Sequence, residues 1–172
     1  MPFLHDRHKR LAFPFHAPAA QDAGMPRHQT MAQDAELRLR GGLDVQVTWP
    51  PATTERPALL VVLPGASTGA PVWGRLAAGI PAVLLMVRGR RFDDACEALE
   101  WGADHAAELG ADPRRLLLAA DRGGAGLVAA LARHARDRGW PPIARHVLVD
   151  PELDPARAGE LVALLAGKGR TQ

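Results

Sequence analysis

The sequence predicts an α/β protein, a three-layer sandwich built on a mostly parallel sheet of about six strands that opens with an antiparallel hairpin. Three observations carry this. Two segments of alternating apolar and polar residues flank a Gly-Gly pair near residue 41, continuous apolar runs recur after it, and helical stretches separate those runs.

The elements follow in order. Residues 1–34 read as an arm: the first 30 mix four His, four Pro and Phe3, Phe13 and Phe15 with no steady period, so they lack a core of their own and either trail or dock, Phe13 and Phe15 being the docking residues. Residues 35–172 read as one domain, since a single core serves about 100–200 residues. Residues 35–40 and 43–49 alternate as half-buried strands do, and Gly41-Gly42 turns one into the other. Pro50-Pro51 ends the pair. The run 58–63 (Ala-Leu-Leu-Val-Val-Leu) is apolar throughout, as a strand covered on both faces must be, and 82–87, 115–120 and 146–149 share that character. Helices are expected at 72–78, 93–109 and 124–137, so the strands join by right-handed crossovers. A last helix starts with Asp154 as N-cap and Pro155 at its first position, presents Leu161, Val162, Leu164 and Leu165, and stops at Gly167.

Charge and composition exclude several functions. The formal charge is +2, and Arg7, Lys9, Arg10 and Arg27 against Asp6 and Asp22 place all of it in the first 30 residues. The remainder balances 17 basic against 17 acidic residues, so no cationic face for nucleic acid is expected. Cys96 is the single cysteine, which excludes an internal disulfide and a cysteine-rich zinc site. His5 and His8 have no second ligand pair, and neither a metal nor another cofactor is expected. No apolar run reaches the roughly 18 residues of a membrane span, and the charged N-terminus is unlike a signal peptide; a cytoplasmic location follows as the expectation.

Several segments resemble the hormone-sensitive-lipase-like esterase branch of the α/β-hydrolase fold. Asp93 through Trp101 is similar to the helix before the nucleophile strand, Ala106 through Leu116 to the turn into that strand, and Ala130–Arg133, Pro141–Ile143 and His146–Asp154 to the helix and strand that follow. The resemblance covers roughly residues 35–154 and implies a truncated α/β-hydrolase fold. It breaks at the chemistry. Where the branch reads G-D-S-A-G-G, this chain has Ala120-Asp121-Arg122-Gly123-Gly124-Ala125, so Arg122 stands in the nucleophile position. A guanidinium stays protonated and cannot attack a carbonyl. Pro64-Gly65-Ala66-Ser67 stands where the branch has its H-G-G-G oxyanion loop, and the later strands bearing the triad's acid and histidine find no room after Asp150.

Other motifs compete. Gly65-Ala66-Ser67-Thr68-Gly69 is formally G-x-S-x-G, with His105, His134 or His146 available as a base for Ser67, but Thr68 through Pro71 delays the helix that should follow an elbow directly. Small residues in a tight loop explain it as well. Gly124-Ala125-Gly126-Leu127-Val128-Ala129 fits a dinucleotide fingerprint with Asp150 on a ribose, yet a hydrolase elbow needs the same glycines. Arg122, with Gly123 and Gly124 at a helix start and Arg88, Arg90 and Arg91 at the same sheet edge, suggests an anion pocket.

The leading expectation is a non-catalytic pseudoenzyme acting as an accessory or scaffolding subunit. Short proteins of this type resemble the small hydrolase-like partner of linaridin peptide pathways, which implies a role beside a peptide-tailoring enzyme such as a peptide epimerase and a peptide substrate for the complex. The alternatives are a hydrolase or isomerase working through Ser67, or through Asp121 and Asp150 as acid and base, and a small-molecule or anion binder at Arg122. An apolar strand at 146–149 left at the sheet's edge should bind a partner or a second copy, with Val147 and Val149 at the contact.

Overall fold

The computed structural model describes residues 33–51, 55–65, 73, 76–77 and 79–149. Within them lie β1 (Gln33–Arg38), β2 (Asp44–Trp49), β3 (Ala58–Leu63), β4 (Ala82–Val87), α1 (Phe92–His105), β5 (Asp112–Ala120), a 3₁₀ turn (Arg122–Gly124), α2 (Ala125–Arg138) and β6 (Ile143–Leu148). The six strands form one sheet in the order β1-β2-β4-β3-β5-β6. β2 runs antiparallel to β1 and β4, and β4, β3, β5 and β6 run parallel.

Local chemistry sets the hairpin. Leu39 and Gly42 close the turn, Leu39 N–H donating to Leu43 O at 2.8 Å and Gly42 N–H to Leu39 O at 2.9 Å. Gly42 has φ of +83°, a conformation that glycine adopts at little cost. β3 and β4 are buried at every residue, which is why their sequences show no alternation.

The sheet's two faces carry separate cores. On one, Leu59, Val61, Leu85, Leu116 and Leu118 pack against Ala95, Ala98 and Leu99 of α1 and Val128 and Leu131 of α2. On the other, Leu60, Val62, Leu84, Leu117 and Ala119 pack with Trp73, Leu76, Ala77 and Ile80. Trp73, Leu76, Ala77 and Gly79 are helical, so the expected helix at 72–78 is present in the part described.

Several boundaries differ from expectation, β5 among them, which begins at Asp112 rather than 115. β1 begins at Gln33 rather than 35 because Gln33 and Asp34 pair with Trp49 and Thr48. α1 stops at His105 instead of 109, since the chain turns at Gly110, where φ is +78°. β6 starts three residues early, at Ile143, beside Leu116. The arm, with Phe13 and Phe15, and the helix expected after Asp154 lie outside the described residues.

Candidate functional site at the strand-to-helix elbow

β5 delivers the chain to the carboxyl edge of the sheet at Ala120, and α2 leaves from Ala125. Glycine is required between them. A Cβ on Gly124 would run into the carbonyl oxygen of Leu63 and lie 2.8 Å from the Cβ of Ala120. The elbow therefore brings helix and strand closer than any side chain permits.

Asp121 holds the elbow together. It is 1% exposed, and its Oδ1 accepts from the N–H of Gly124 at 3.0 Å and from the N–H of Gly65 at 2.9 Å. One carboxylate oxygen thus caps the 3₁₀ turn and ties it to the end of β3, across 56 residues of sequence. Gly65 fits the same constraint, for a Cβ there would meet Asp121 Oδ1 and come within 2.8 Å of the Cα of Gly123. The second carboxylate oxygen, Oδ2, is buried without a hydrogen-bond partner among the described residues.

Arg122 follows Asp121, exposed, where the resemblance places a nucleophile. At the helix start beside it, the Gly124 N–H donates to Asp121 Oδ1 and the Ala125 N–H to Arg122 O, so these two groups already have acceptors. Arg88 does not converge on Arg122. It donates to Glu36 Oε1 and to Gln46 Oε1 at 3.3 Å, toward β2 and β1, with β3 standing between β4 and β5. Arg91 likewise pairs locally, with Asp93.

The three histidines considered as bases are dispersed. His105 ends α1 at the opposite, amino edge of the sheet, stacked on Trp101 at 4.6 Å between centroids, with Nδ1 2.8 Å from Trp101 O. His134 lies nine residues into α2, about 13 Å along its axis from Ala125, and packs edge-on against Phe92 at 5.3 Å. His146 is level with Leu118, four residues before Arg122. Asp121, proposed as an acid or base, is instead a buried anchor. Ser67 and Asp150 lie outside the described residues.

Val147 and Val149 are 4% and 3% exposed and belong to the core on the Trp73 face, so their side chains are not available as a contact. What the edge presents is Leu148, together with Arg145 and His146. Reading the strand as uniformly apolar hid its alternation.

Sequence reasoning missed the Asp121–Gly65 tether. The Asp-x-x-Gly spacing before α2 is a capping signal that pointed to half of it. The other half depends on β3 and β5 being neighbours, which sequence does not display. Cys96 offers no activated thiol: it is partly buried on α1, and burial, then Glu100 and Asp93, push its thiol above the ordinary range. Among the described residues no group of three or more His, Cys, Asp or Glu could hold a metal ion, and no helix is long and apolar enough to cross a membrane.

Residues 89–166 match the family model described as the α/β hydrolase fold. Among curated proteins, the chain is similar to carboxylesterase NlhH of Mycobacterium tuberculosis, 34% identical over 125 residues that cover 63% of this chain and 39% of that protein. It is also similar to esterase LipI of the same organism, 31% identical over 130 residues that cover 64% of this chain and 40% of that one. The chain thus spans about two fifths of the length of the curated relatives it matches. Among solved structures, the hyperthermophilic esterase from the archaeon Pyrobaculum calidifontis superimposes with a TM-score of 0.57 at 28% identity, covering 68% of this chain and 44% of that one. DphMB1 superimposes at 0.58 with 26% identity, covering 83% and 58%.

Proposed function

We propose that this chain, which has the α/β-hydrolase fold and esterases among its relatives, is a pseudoenzyme at its elbow and acts as an accessory, partner-binding protein rather than through acyl transfer. The single observation behind this reading is Arg122. The strand, turn, glycines and capping aspartate of an elbow are all in place, while the residue at its apex carries a side chain that cannot be a nucleophile. A buried, hydrogen-bonded Asp121 supports the same reading, since it spends its carboxylate on architecture. A role beside a peptide-tailoring enzyme is consistent with it.

A second reading, a hydrolase using Ser67, is favoured by the esterase relatives and by the Asp121–Gly65 bond, which fixes the chain two residues before Ser67 against the elbow. A serine-directed fluorophosphonate probe separates the two. The proposed function expects no stoichiometric labelling of the folded wild-type protein. Labelling that vanishes in Ser67→Ala would establish the hydrolase reading in its place.

A further inference from the structure

No further inference is drawn: the strongest candidate, the buried Asp121 Oδ2 at the carboxyl edge of the sheet beside the start of α2, which has no hydrogen-bond partner among the described residues, belongs to the elbow already described, and nothing in the structure shows what would reach it.

Discussion

Arg122→Ser is expected to leave the chain without measurable ester turnover, although it restores a hydroxyl at the apex of a well-formed elbow. A serine attacks only when a base takes its proton, and losing any one triad member can cost roughly a factor of 10⁴ to 10⁶ in turnover. The described histidines offer no such base. His105 stands at the amino edge, His134 lies about two and a half turns down α2 against Phe92, and His146 is level with Leu118. The check is hydrolysis of short acyl esters by the purified variant beside a heat-denatured sample. Multiple turnovers that saturate with substrate would mean that a base reaches position 122.

Asp121→Ala is expected to cost about 3 kcal/mol, combining a helix cap with a charge-assisted bond to a distant loop. For a domain of this size the melting temperature should fall by roughly 6–12 °C. The Gly124 N–H keeps a bond to Asp121 O at 3.1 Å, whereas the Gly65 N–H loses its acceptor. Asp121→Asn is the informative companion. It keeps an oxygen for both N–H groups and replaces Oδ2, which has no partner among the described residues, so it should remain within about 1 kcal/mol of wild type. Scanning calorimetry on the three proteins decides. An Asp121→Ala variant that melts with wild type would show that the tether carries no stability.

The fold was legible because its strands announce burial and its punctuation is explicit. Ala58–Leu63 and Ala82–Val87 are apolar throughout, as strands covered on both faces are, and the Gly41-Gly42 pair closes the hairpin with Gly42 at a φ of 83°. The elbow was legible for a different reason, since the Asp-Arg-Gly-Gly order fixes which residue stands at its apex. What sequence withheld was lateral. Arg88 sits at the correct edge of the sheet, but strand order places β3 between β4 and β5, and its guanidinium turns to Glu36. Val147 was read as contact because an apolar run has no visible inside, whereas pairing with Ala119 turns it into the core and leaves Leu148 outside.

An elbow complete in backbone and capping carries Arg122 at its apex, and the proposed function takes this to mean that the chain does not perform acyl transfer. Steady-state hydrolysis of a short acyl ester by repurified wild-type protein measures this most directly. The rate is expected to match the heat-denatured blank and not to change in Ser67→Ala. Saturable turnover by the wild type that persists through repurification and disappears in Ser67→Ala would contradict it.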